Sequence, residues 1–163
     1  MNSRIINTVV IVLVGLFGVA LSAVAQESPP DSQKSKEIIA LVEKAAALIQ
    51  AKGKAALPEF RNSGSEWRSG DLYLFGNYMT GIQFLNAGFP EREGKDQSGT
   101  KDANGKDILA EFRKAIQSSG GAGWASYMWP KPGQTQPSKK WSYVKSVKLD
   151  GKPSIIGAGF YPE

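Results

Sequence analysis

The chain has 163 residues, with 20 basic and 15 acidic side chains, a formal charge of +5, and neither cysteine nor histidine. Those two absences remove the groups needed for a disulfide framework, thiolate catalysis, a Ser-His-Asp relay, covalent c-type haem attachment and the usual zinc sites. A chain of this length is expected to form one domain that buries roughly two-thirds of the surface the unfolded chain exposes.

Residues 1–25 carry one charge, Arg4, followed by an apolar run over 9–21 and then the small-residue stretch Ser22-Ala23-Val24-Ala25. This order predicts a secretory signal peptide over 1–25, cleaved after Ala25, and hence a periplasmic or secreted protein. The competing reading is an uncleaved anchor, because 5–25 is just long enough to span a bilayer. Asn7, Thr8 and Ser22 shorten the apolar part and favour cleavage. No later segment is apolar enough to cross a membrane. Residues 26–34 hold Pro29 and Pro30 among polar neighbours and predict a short disordered leader, with a single domain over 35–163.

Order is expected near Ser35. Ile38, Leu41, Val42, Ala45, Leu48 and Ile49 recur at spacings of three and four, which predicts a long helix ending near Gly53. A short helical stretch over 55–61, interrupted by Pro58, and a loop over 62–70 follow. Residues 71–75 and 82–85 are rich in β-forming side chains and flank a turn at 77–81, which predicts a hairpin. The long polar stretch 88–105 reads as a functional or mobile loop. Ile108, Leu109, Phe112, Ala115 and Ile116 share one face of a second helix over 106–118, stopped by Gly120-Gly121. Three strands close the chain, at 123–129, 140–149 and 154–160, with a turn at Asp150-Gly151. The order of elements implies an α+β fold with helices packed on an antiparallel sheet of about five strands.

Of the 16 aromatic residues, all but Phe17 lie from Phe60 onward. Core filling is the ordinary role of such rings. On 123–129, a period of two places Ala125, Tyr127 and Trp129 on one face, with Trp124, Ser126 and Met128 on the other. Tyr127, Trp129, Lys140 and Tyr143 together offer flat apolar walls, hydroxyl donors and a cation, which suit a small organic anion. The lysines at 139, 140, 145, 148 and 152 read as a solvated surface or a basic rim. Nucleic acid is a poor partner for an exported chain with so few arginines.

Asp102-Ala103-Asn104-Gly105-Lys106-Asp107 has a faint calcium-loop pattern but lacks its third oxygen ligand and the distal Glu, so it reads as a turn and helix cap and no metal or cofactor is expected. S-x-x-K occurs at Ser98 to Lys101 and at Ser142 to Lys145, neither at an expected helix start, so no enzyme is inferred from it.

Six segments taken in order resemble single Cache domains. They are 71–75, the turn near Gly81, 101–106, the Gly123-Trp124-Ala125-Ser126-Tyr127-Met128-Trp129-Pro130 block, Lys140-Trp141-Ser142-Tyr143-Val144, and 156–161. The resemblance spans nearly all of the chain after the expected cleavage site. It implies a PAS-like extracytoplasmic sensor fold, with a long N-terminal helix, a central antiparallel sheet and a pocket between the sheet and its covering loops. It also implies a small organic ligand, often a short carboxylic acid. Carried onto this sequence, the pocket candidates are Tyr73, Phe75, Tyr127, Trp129, Lys140 and Tyr143. Lys140 is expected to pair with the carboxylate, Tyr127 and Tyr143 to donate hydrogen bonds, and Trp129 and Phe75 to exclude water. No signalling module is recognised after the domain, so occupancy is expected to pass to a separate membrane sensor kinase or chemoreceptor. The other readings are a ligand-free accessory module of the envelope and a hydrolase working through carboxylates.

Overall fold

The structure is a computed structural model that describes Pro29 and residues 31–162; the expected signal peptide lies outside the described residues. Helix α1 runs Gln33–Lys52, two residues ahead of the expected start and inside the stretch read as a leader. The Ser32 side chain accepts a hydrogen bond from the Ser35 backbone N–H at 3.2 Å, which satisfies one of the unpaired donors of the first turn and fixes this start. The helix buries Ile38, Val42, Ala45, Ala46 and Ile49 as one stripe. Among the described residues, no helix is long and apolar enough to cross a membrane.

A 3-10 turn at Gly53–Ala56 leads into the short α2, Leu57–Phe60. The strands are β1 Arg68–Ser69, β2 Leu72–Tyr78, β3 Gln83–Asn86, β4 Ala122–Pro130, β5 Pro137–Leu149 and β6 Lys152–Phe160. Between β3 and β4 lie a 3-10 turn at Pro90–Arg92 and helix α3, Ile108–Ser118, whose first turn is capped by the Asp107 side chain. All pairings are antiparallel, in the order β1-β2-β6-β5-β4, with β3 also paired to β2. The expected hairpin of β2 and β3 and the closing meander of β4, β5 and β6 are both present, and the last strand enters between β2 and β5. The β5–β6 turn has Asp150 at φ 51° and Gly151 at φ 76°, the left-handed pair that fits the twist of a tight hairpin.

Both faces of the sheet are covered, giving three layers. On one face Leu74, Trp141, Leu149, Ile156, Ala158 and Phe160 pack with the α1 stripe. On the other Tyr73, Phe75, Ala125, Tyr127, Val144 and Ile155 pack with the apolar stripe of α3. The period of two along β2 thus sends Tyr73 and Phe75 to one layer and Leu74 to the other.

Candidate functional site

The face of the sheet under α3 is not packed solid. Six rings follow one another around its upper part. Tyr73 meets Phe89 at 5.7 Å between centroids, Phe89 meets Trp129 at 5.9 Å, and Trp129 meets Tyr127 at 6.1 Å. Tyr127 then meets Phe112 at 5.5 Å, and Phe112 stacks on Phe75 at 5.2 Å. Edge-to-face pairs of this kind hold rings at fixed angles instead of letting them collapse into one another. All of the rings but Phe89 line a cavity of about 40 Å³, roughly three waters' worth when each needs about 10–15 Å³. Tyr73, Phe75, Tyr127 and Trp129, all expected from the sequence, line it, with Ile108, Leu109 and Phe112 from α3.

Gly88 sets the position of Tyr73. A β-carbon on Gly88 would lie 2.6 Å from the Tyr73 ring, so only glycine lets the chain lie flat on that ring.

The polar lining comes from residues that the sequence reading did not single out: Asn77, Gln83, Asn86, Arg92, Gln97 and Thr100. Three of them form an amide chain along the β2–β3 hairpin. Asn86 Nδ2 donates to Gln83 Oε1 at 3.1 Å, Gln83 Nε2 to Asn77 Oδ1 at 3.3 Å, and Asn77 Nδ2 to the Gly81 carbonyl at 3.3 Å. The amide oxygens are thereby engaged, Asn86 Oδ1 accepting from the Phe89 N–H at 3.0 Å. Each amide nitrogen uses one of its two hydrogens in these bonds, and all three amides line the cavity.

Arg92, Gln97 and Thr100 are carried by the long polar segment, which is held from both sides. Toward β3, the Gly94 N–H donates to the Gln83 carbonyl at 2.7 Å, and the Gln97 N–H to the Gly81 carbonyl at 3.1 Å. The ion pair of Arg61 with Glu93 at 2.7 Å, and the 2.7 Å bond from the Asn86 N–H to Glu93 Oε1, tie it to α2 and β3. Toward β4, Asp102 accepts from the backbone N–H groups of Asn104 and Lys106 with one oxygen and from that of Met128 with the other. Burial opposes charge on Asp102, but its three backbone donors outweigh burial and hold the carboxyl below the ordinary aspartate range. The carboxylates of the weak calcium-like motif are therefore spent on backbone groups, Asp107 capping α3 through the Ala110 N–H. The segment forms a lid that sets Arg92 above the cavity, with the guanidinium 4.8 Å from the Trp129 ring centroid and bonded to the Gln97 side-chain oxygen. Arg92 is the cation of the lining, and no carboxylate is part of that lining.

Lys140 and Tyr143 stand elsewhere. Lys140 pairs in register with Tyr127 and so shares its face, but its side chain is fully buried behind Tyr73 and is not part of the cavity wall. Its ammonium nitrogen lies 3.8 Å from the Tyr73 ring centroid, 5.2 Å from Tyr161 and 5.6 Å from Phe75, with no hydrogen-bond partner. A desolvated cation–π contact contributes about 2 kcal/mol, whereas an unpaired buried ion costs several. Burial wins, with Asp71 opposing it, and the amine is held well below the ordinary lysine range. The direct carboxylate contact expected of Lys140 is therefore closed by the Tyr73 ring.

Tyr143 pairs in register with Trp124, its ring 5.3 Å away, and packs in the α1 layer. The bond expected from Tyr143 to an occupant thus falls on the wrong side of the sheet. Tyr127, the other expected donor, shares a 3.0 Å bond with Ser142 Oγ. Burial pushes the Tyr73, Tyr127 and Tyr161 hydroxyls up, so all three stay neutral at ordinary pH. Ser142 and Lys145 form no dyad, because Lys145 turns away to Glu43 at 2.8 Å.

Comparison with known proteins gives a consistent result. The sequence profile of the Cache domain family matches residues 33–163. The methyl-accepting chemotaxis protein McpP of Pseudomonas putida is 32% identical over 91 residues, which are 56% of this chain and 16% of that protein. The chain thus spans a small part of the length of this relative. A solved periplasmic sensor domain of a chemotaxis protein superposes with a TM-score of 0.67 at 30% identity, over 80% of this chain and 95% of its own. A Cache chemosensory domain solved to explain carboxylic acid recognition gives 0.67 at 29% identity, over 80% and 94%. A methyl-accepting chemotaxis protein from Vibrio parahaemolyticus, 24% identical with a TM-score of 0.64 over 78% and 87%, shares the fold.

Proposed function

The chain belongs to the Cache domain family, and we propose that it is an extracytoplasmic sensor domain that binds a short carboxylate in the cavity under its lid. The carrying observation is the polarity of that cavity: one guanidinium, side-chain amides and a threonine hydroxyl, set against rings, with no carboxylate among the lining residues. Such a lining solvates an anion through charge-assisted bonds. It offers no counter-charge to an amine, so free amines are poor occupants. Room for about three waters suits a small acid, with Trp129, Phe75 and Phe112 among the apolar walls that would meet its carbon end. Chemotaxis sensor domains among the relatives support a sensing role, and the carboxylic-acid-binding relative supports the ligand class.

An open cavity disfavours a ligand-free packing module. The absence of a carboxylate pair in its lining leaves a carboxylate hydrolase without its acid and base. The domain passes occupancy to a membrane sensor kinase or chemoreceptor through α1, which packs against β5 and β6 on the far face of the sheet.

Thermal denaturation tests the reading with a panel of C2 to C6 acids, amino acids and amines. An acid at 100 times its Kd adds about 2.7 kcal/mol, a rise of about 10 °C for a domain of this size. Arg92→Ala should abolish the rise at the same acid concentration while the unliganded melting temperature changes little. A panel without any responder, or an Arg92→Ala protein that responds like the parent, refutes the assignment.

A further inference from the structure

Lys140 is the one buried side-chain nitrogen or oxygen without a hydrogen-bond partner among the described residues. The fold spends space on it. A β-carbon at Gly159 would lie 2.9 Å from Lys140 Cε, 2.4 Å from Ser142 Oγ and 2.3 Å from the Trp141 carbonyl, so a glycine keeps the lysine stem in place.

The groups that face the nitrogen can be taken element by element. From β2 come Tyr73 and Phe75, with Asp71 just before the strand; from β4 comes Tyr127, opposite in register; from the residues after β6 comes Tyr161. Asp71 acts on Lys140 only from a distance, because its carboxylate is paired with Lys131 at 2.9 Å and is 45% exposed. Arg92, the charge of the lid, sits over Trp129. The lysine therefore has aromatic faces that accept a cation but no anion that compensates one. Its nearest ring, Tyr73, is also a wall of the cavity, so an occupant and the lysine stand on the same ring.

We propose that Lys140 is a proton acceptor coupled to occupancy: its amine is uncharged while the cavity is empty and takes up one proton when an anion binds in front of Tyr73. The step moves a proton from the buffer to the Nζ lone pair and forms no bond to the ligand. An anion in a low-dielectric cavity supplies the compensating charge that the folded protein withholds, and the rings between them hold the ammonium in place. This inference rests on the carboxylate reading of the cavity and extends it to coupling with pH. Binding of the acid should weaken as pH rises through the range in which free lysine keeps its proton.

Isothermal titration calorimetry with sodium acetate and sodium propionate, run at pH 7.5 in Tris and in phosphate, reads the proton directly from the difference in heat. The parent protein should take up between about half a proton and one proton per acid bound, since linkage counts the change in protons held. Lys140→Met should bind with almost none. Equal heats in the two buffers with binding intact would overturn the coupling and leave the carboxylate site standing. No heat and no thermal shift with these two acids or with any other acid of the C2 to C6 panel would overturn the site, and the coupling with it. A ligand-free measurement tests the first half separately. The 13Cε signal of Lys140, assigned by its loss in Lys140→Met, should show an uncharged amine in the empty protein at pH 7.5. An ammonium signal there refutes the proposal.

Discussion

Lys140 carries a stability signature of its own. In the folded chain burial depresses its affinity for a proton, partly opposed by Asp71, while the unfolded chain restores the ordinary value near 10.5. Between the two values the unfolded state holds one more proton than the folded state, so stability from this group rises with pH by about 1.4 kcal/mol per unit. Tyr73, Tyr127 and the half-buried Tyr161 act only near and above pH 10, where the unfolded state ionises first. The window from pH 7 to 9 therefore isolates the lysine. Lys140→Met, which keeps the volume and removes the amine, should be more stable than the parent at pH 7. That advantage should shrink by up to about 2.7 kcal/mol on going to pH 9. Urea unfolding at several pH values measures it, and a constant difference would show that the lysine holds its proton in the native state.

On its β4 side the lid depends on the carboxylate of Asp102. Asp102 Oδ2 accepts the Met128 N–H at 2.8 Å and so fastens the segment to the edge strand β4. In Asp102→Asn the new NH₂ group faces that N–H, or else the two turn bonds are lost. The expected cost is about 1–3 kcal/mol, with weaker acid binding because Arg92, Gln97 and Thr100 lose their support. The folded carboxyl is held below its ordinary range, so its contribution is whole above about pH 4 and fades as acid protonates it. Denaturation of parent and variant should converge below that point.

What was legible follows from the range of each signal. The α1 stripe, the alternation of Ala125, Tyr127 and Trp129, and the Asp150-Gly151 turn are written in neighbouring residues and appear as read. Parity along β5 already separates 140 from 143, since an odd step changes faces, and grouping Lys140 with Tyr143 overlooked it. The insertion of β6 beside β2 is a pairing across most of the chain that no local pattern announces. Arg92, Gln97 and Thr100 were hidden in a segment read only as polar, and the three amides in a hairpin read for its apolar residues. The available clue was Gln83 and Asn86 interrupting an otherwise apolar strand.

Across the whole molecule, the cavity and α1 lie on opposite faces of one sheet. The shortest route between them is β2, which gives Tyr73 and Phe75 to the cavity layer and Leu74 to the α1 layer. If occupancy changes the stance of α1, linkage requires the reverse as well: a change in α1 packing must alter affinity by the same factor. Two measurements then have to agree. Amide exchange should show acid-dependent protection in α1 as well as in the lid and β4. Leu74→Ala, expected to cost about 2.7–5 kcal/mol of stability as a buried deletion, should also shift the Kd for the acid although Leu74 touches no occupant. Protection confined to the lid, together with an unchanged Kd in Leu74→Ala, would mean that the sheet insulates its two faces. The output would then leave through the lid segment, which places Arg92 on the cavity lining.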